Sequence, residues 1–144
     1  MSEENVRVAQ AAADAFARDG VDGWLESFTG DVDYQAAEGA IDDRGPIHGK
    51  DALRAYAEDW LEMFDDVRFE PVEVIDAGDD TVITVLRVSV ITVLRVSGRP
   101  KGTSAEAELA LSFASVSTIR DGKIARSREY WTREEALEAA GLSE

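Results

Sequence analysis

The chain has 144 residues, no cysteine, and 30 acidic against 15 basic side chains, for a net charge of −15. That length can bury a core without staples, and the missing thiols exclude disulfides, thiolate nucleophiles and cysteine-ligated metals. So much negative charge repels phosphate backbones and anionic bilayers, so neither nucleic acid nor a membrane surface is expected as a partner.

The opening residues, MSEENVRVAQ, are acidic and polar where a secretion signal would be basic and then apolar. The most apolar run, Val82 to Val96, contains Arg87 and Arg95, and no stretch reads as a membrane span. A cytoplasmic protein of one domain, residues 1–144, is expected. In chain order, Ser2 is an N-cap, Glu3 and Glu4 suit the helix dipole, and Val6, Ala9, Ala13 and Phe16 recur at helical spacing until Gly20. Trp24, Leu25 and Phe28 give a second, shorter helix an apolar side before Thr29-Gly30-Asp31 breaks it. Val32 to Ala37 reads as a strand, and Glu38 to Gly49, rich in Gly and acids, as a surface loop where a pocket rim would lie. A third helix runs from about Lys50 to Phe64, with Leu53, Tyr56 and Trp60 on one face and Asp51, Arg54, Glu58 and Glu62 outside it.

From Val67 the period becomes two. Val67, Phe69 and Pro71 alternate, then the phase slips to Val72 and Val74, which predicts a bulge or an edge at Pro71. Ala77-Gly78-Asp79-Asp80 turns the chain into Val82 to Ser97, which reads VITVLRVS twice without a mismatch. The pattern is that of a tandem duplication. An eight-residue repeat on a period-two element presents the same side chains to the same faces in both copies. A uniform strand of 16 residues would reach ~53 Å at ~3.3 Å per residue, so one copy is expected in the sheet and the other looped out or extended beyond the body. Gly98 to Gly102 is a turn, and Ala105, Ala107, Leu109, Leu111 and Phe113 line one face of a long return strand ending near Ile119. Asp121-Gly122 predicts a hairpin whose central residues both take positive φ, Lys123 to Trp131 the last strand, and Thr132 with Glu135 a capping box for a closing helix that Gly141 ends. Helices first and hairpin strands afterwards are an α+β arrangement.

This order of elements, with Pro46-Ile47-His48-Gly49 before a helix and Asp121-Gly122-Lys123-Ile124 in the last hairpin, resembles the NTF2-like superfamily, specifically its SnoaL-like branch. The resemblance implies a cone-shaped, curved antiparallel sheet wrapped around N-terminal helices, enclosing a pocket and often dimeric through the outer face of the sheet. It implies no single activity, since members include ketosteroid isomerases, polyketide cyclases, epoxide hydrolases and proteins without chemistry. Aligned on the shared motifs, the isomerase tyrosine falls near Ala12, its base near Ala36 or Ala40, and its oxyanion acid at Ala114, which disfavours isomerase chemistry.

Three residues are candidates for acid/base work. Glu129, before Tyr130 on the last strand and after Arg126 and Arg128, sits where cyclases and epoxide hydrolases of the superfamily are similar in carrying an acid; the competing reading is an outward ion pair. His48 is the one histidine, and Glu38 would serve as a base after a loop shift; a structural imidazole and a solvated carboxylate are the plainer readings. Tyr34, Tyr56, Trp60, Phe113 and Tyr130 are expected on the pocket wall. One histidine and no cysteine leave no transition-metal site, and Asp42 with Asp43 leave open a hard-cation site in a solvated loop. No phosphate loop, nucleophile elbow or Ser/His/Asp set occurs, and no cofactor is expected. The expected protein holds a small apolar molecule and forms a homodimer; the alternative is a cofactor-independent acid/base enzyme using the carboxylate of the final strand.

Overall fold

Patterning at 3.6 residues for the helices and at two for the strands produces α1 (Ser2–Leu25), β1 (Phe28–Gln35), β2 (Ile47–His48), α2 (Lys50–Met63), β3 (Asp66–Asp76), β4 (Thr81–Val96), β5 (Thr103–Arg120), β6 (Lys123–Tyr130) and α3 (Arg133–Ala139). The structure, a computed structural model, describes residues 2–40, 43–63, 66–96 and 103–142. The expected turn at Gly98 to Gly102 lies outside the described residues, as do Asp42 and Phe64. The strand order is β2-β1-β6-β5-β4-β3, with every neighbouring pair antiparallel except β1 and β6, which run parallel. An open, curved sheet with the two long helices on one face is the expected α+β architecture, but the sheet is mixed where an antiparallel one was expected, because β1 adds beside β6 in parallel.

Alternation on the strands sorts the core into two layers. Val82 and Val88 of β4 pack with Ala9 and Ala12 of α1 and with Leu53, Tyr56 and Trp60 of α2. Ile83, one residue on, packs instead with Ala114, Ala136 and Leu137 under α3. The outer apolar face anticipated as a dimer surface is thus covered in part by the chain's own last helix. Arg133 holds that helix with a forked ion pair to Glu73 of β3, at 2.9 and 3.2 Å, and the Thr132 hydroxyl accepts from the Glu135 amide at 3.1 Å. Asp121 and Gly122 take φ of 54° and 77°, as the hairpin between β5 and β6 requires.

Several boundaries differ from the sequence reading. Gly20 (φ 70°, ψ −151°) takes backbone space that is glycine's alone, so α1 is two helices meeting at a kink there, as the sequence reading expects. The second, shorter helix ends at Leu25, and Phe28, expected on it, already belongs to β1. Ile47 and His48, expected in a loop, pair with Tyr34 and Asp33 as β2. In β3 the register shifts between Pro71 and Glu73, and Val72 is 62% exposed at the bulge while Val74 packs inward.

Of the two outcomes expected for the extra octet, looping out does not occur among the described residues, while extension past a neighbouring strand does. The first octet and Val90 to Val96 of the second lie in β4, which pairs with β5 from Thr81↔Thr118 to Val96↔Thr103. The reason is the length of β5, whose 18 residues supply partners as far as Val96. On the other edge β3 follows only to Asp66↔Ile91, so Thr92 to Val96 run past it.

Candidate functional site

Small side chains on α1 open the site. Ala9, Ala12 and Ala13 fall at i, i+3 and i+4, so this stretch of the helix presents methyl groups to the sheet, and the space beneath them stays unfilled. Below lies a cavity of about 110 Å³. Its walls are aromatic: Phe16 and Trp24 from α1, Phe28 and Tyr34 from β1, Tyr56 and Trp60 from α2, Phe69 from β3 and Phe113 from β5. The rings meet edge to face, with Trp24 and Phe28 at 4.7 Å and 69°, Phe16 and Phe69 at 4.7 Å and 81°, and Trp24 and Tyr34 at 6.2 Å and 78°. The floor is different. Thr84 of β4, Ser115 and Ser117 of β5, and Ser127 and Glu129 of β6 form a polar strip across three strands.

Glu129 is the acid on that floor, 9% exposed. The Tyr34 hydroxyl donates to its Oε2 at 2.8 Å, joining residues 95 apart in sequence. The parallel pairing makes this contact: Tyr34↔Ser127 places β1's tyrosine two residues from the glutamate on the neighbouring strand. Beside them the Ser117 and Ser127 hydroxyls lie 3.2 Å apart. A buried carboxylate in apolar surroundings is costly unless hydrogen-bonded, and Tyr34 supplies one such bond.

The orientation of Glu129 depends on a bulge. Opposite β6, the register shifts between Thr118, which faces Arg126, and Ile119, which faces Ile124. The extra residue, Ala125, lets Ile124, Ser127 and Glu129 all point inward although strict alternation would separate the first from the other two. Arg126 is exposed and Tyr130 turns outward to pack beside Ile83 and Ala114, with Arg128 over its ring at 5.8 Å. Tyr130 is therefore not a wall of the cavity, contrary to expectation.

Of the other expected residues, Tyr34, Tyr56, Trp60 and Phe113 line the cavity and His48 and Glu38 do not. His48 sits at the sheet edge, 72% exposed in its side chain, with Nδ1 hydrogen-bonded to Asp33 Oδ1 at 2.6 Å. That bond, and Asp33's charge, raise its pKa above 6.5. Glu38 contributes its carbonyl, which accepts from Trp131 Nε1 at 2.9 Å. The Asp43 carboxylate accepts from the Gly39 and Gly45 amides, which lower its pKa and brace the loop. Among the described residues no cluster of three His, Cys, Asp or Glu is placed to hold a metal, and no helix is long and apolar enough to cross a membrane. Sequence reasoning missed Thr84, Ser115, Ser117 and Ser127, though the alternation from Phe113 through Ser115 to Ser117 carries the signal for two of them.

Two helices laid on an open curved sheet, with a cavity between them that strands and helices line jointly, define the NTF2-like class. The SnoaL-like domain family matches residues 9–127, and the chain belongs to that family. No curated protein matches the sequence. Solved structures share the fold at low identity. TerC co-crystallised with polyporic acid is 23% identical, with 96% of this chain and 98% of that one covered and a TM-score of 0.68. A protein of ketosteroid-isomerase-like fold from Catenulispora acidiphila, in complex with trimethylamine, is 18% identical over 94% and 92% at 0.64. Rv0760c from Mycobacterium tuberculosis, in complex with estradiol-17beta-hemisuccinate, is 16% identical over 90% and 95% at 0.66.

Proposed function

We propose that this protein binds a small, mostly apolar molecule in the cavity beneath α1 and α2, with Glu129 as the polar group that meets it. The observation that carries the reading is a buried carboxylate, held by the Tyr34 hydroxyl, on the floor of an aromatic-walled cavity. The ligands of the three neighbours, polyporic acid, trimethylamine and estradiol hemisuccinate, differ widely, so the lining of each cavity rather than the fold selects the occupant.

The same observation favours a second reading, cofactor-independent acid/base catalysis. A carboxylate in hydrogen-bond reach of a ligand takes a proton from water or from a carbon next to a carbonyl, and an oriented base needs no metal for that step. We read the chain further as a cytoplasmic homodimer packed through the part of the outer sheet face that α3 leaves uncovered; sedimentation giving only monomer at micromolar concentration would refute the dimer. The experiment for the site is a thermal-shift screen of small carbonyl, epoxide and aromatic compounds against wild type and Glu129→Gln. The expected result is at least one compound whose binding or turnover falls tenfold or more in the variant while the ligand-free melting temperature changes little. A variant that melts several degrees lower with an unchanged ligand response would make Glu129 a structural residue.

A further inference from the structure

The occupant's charge can be argued from the lining, on the reading that the cavity binds a ligand at all. Among the described residues that line it there is no Lys, Arg or His, and Glu129 is the one carboxylate. An anionic ligand would meet that carboxylate among described lining residues that include no cation. A cation would meet it with attraction strengthened by the low dielectric of the interior. The aromatic walls act in the same direction, because a ring's face is the negative part of its quadrupole and attracts ammonium groups within about 6 Å. Trp24, Phe28 and Tyr34 meet at interplanar angles of 63–78°, which makes a corner of upright walls rather than a stack. The guanidinium of Arg44 already lies 5.4 Å from the centre of the Tyr56 ring, with its charge paired to Asp59 at 2.9 Å.

The hydroxyls of Ser115, Ser117 and Ser127 beside Glu129 can accept from the N–H groups of a ligand amine. At long range, a protein of net charge −15 concentrates cations at its surface and depletes anions. The volume limits size. Holding one water takes roughly 10–15 Å³ of cavity, so about 110 Å³ suits a ligand of on the order of ten non-hydrogen atoms.

We propose that the cavity selects a protonated organic amine bearing one hydrophobic ring or a short alkyl chain, with its ammonium group against Glu129 and its apolar part among the rings of Trp24, Tyr34, Tyr56 and Trp60. The charge-assisted hydrogen bond to the carboxylate supplies orientation, and the aromatic corner supplies both apolar contact and cation–π attraction.

The test compares three probes of nearly equal shape by isothermal titration: phenethylamine, phenethyl alcohol and phenylacetate. The amine is expected to bind wild type at least tenfold more tightly than the alcohol, with phenylacetate weakest, and to lose that advantage in Glu129→Gln. If the alcohol or the acid binds wild type as tightly as the amine, the amine inference is overturned and the ligand-pocket reading stands. The same holds if a folded Glu129→Gln binds the amine undiminished. If none of the three binds at millimolar concentration, both readings fall. The comparison of probes on wild type stands whether or not the variant folds.

Discussion

Replacing Tyr34 by Phe removes one hydroxyl and leaves the ring in place against Trp24, Phe28 and Tyr56. What is lost is the 2.8 Å hydrogen bond to Glu129 Oε2, made between side chains that are 8% and 9% exposed. A hydrogen bond to a charged group contributes about 1.5–3 kcal/mol, and its loss here leaves a buried carboxylate oxygen with one donor fewer. At ~2.1 cal/mol/K per residue, unfolding 144 residues carries an entropy of about 0.3 kcal/mol/K, so the melting temperature should fall by about 5–10 °C. Glu129→Gln should behave differently, because an amide oxygen still accepts from Tyr34 and no charge is buried; its melting temperature should stay level or rise. The double variant closes a cycle whose coupling energy should be about 1–2 kcal/mol, read from denaturant midpoints at constant slope. Tyr34→Phe melting within about 2 °C of wild type, together with additive effects in the cycle, would refute the claim that the pair organises the cavity floor.

Ala12, 6% exposed on the cavity wall, should accept Leu with a stability gain of about 0.5–2 kcal/mol by filling space, and the ligand response found by thermal shift should disappear with it. For His48 the sign is set by Asp33: the pair stabilises the fold below the unfolded pKa of about 6.5, and that contribution fades as pH rises through the raised folded pKa. Asp33→Asn should therefore move the imidazole's NMR titration midpoint down toward 6.5 and leave ligand binding untouched; an unmoved midpoint would contradict the assignment. Deleting one octet gives the same chain whichever copy is removed, and pairing of Thr81 to Ser89 with Ala110 to Thr118 should persist, so circular dichroism and ligand response should match wild type. Loss of either would mean that the far end of the β4–β5 ladder supports the cavity.

Element order was legible in the sequence because period and turn chemistry are local. Leu53, Tyr56 and Trp60 announce a buried face of α2 by spacing alone, Asp121-Gly122 can close only one kind of hairpin, and the phase slip at Pro71 is a bulge written in the order of apolar residues. The identity of the octets was legible too, and so was extension past a neighbour as one outcome; that β4 stays paired on its other edge was not, since pairing depends on how many residues the opposite strand offers, and β5 offers partners as far as Val96. Half of the cavity wall was legible as aromatics at core spacing. Its floor was not. Glu129 faces inward because Ala125 adds a residue to β6, and Tyr34 reaches it because β1 adds to the sheet in parallel beside β6, a pairing between segments about 95 positions apart that no local pattern encodes. The sequence by itself determined which stretches become helices and strands, since those depend on neighbours along the chain; the tertiary structure alone decided which carboxylate is buried against which hydroxyl, since that depends on strand order and on a one-residue change of register.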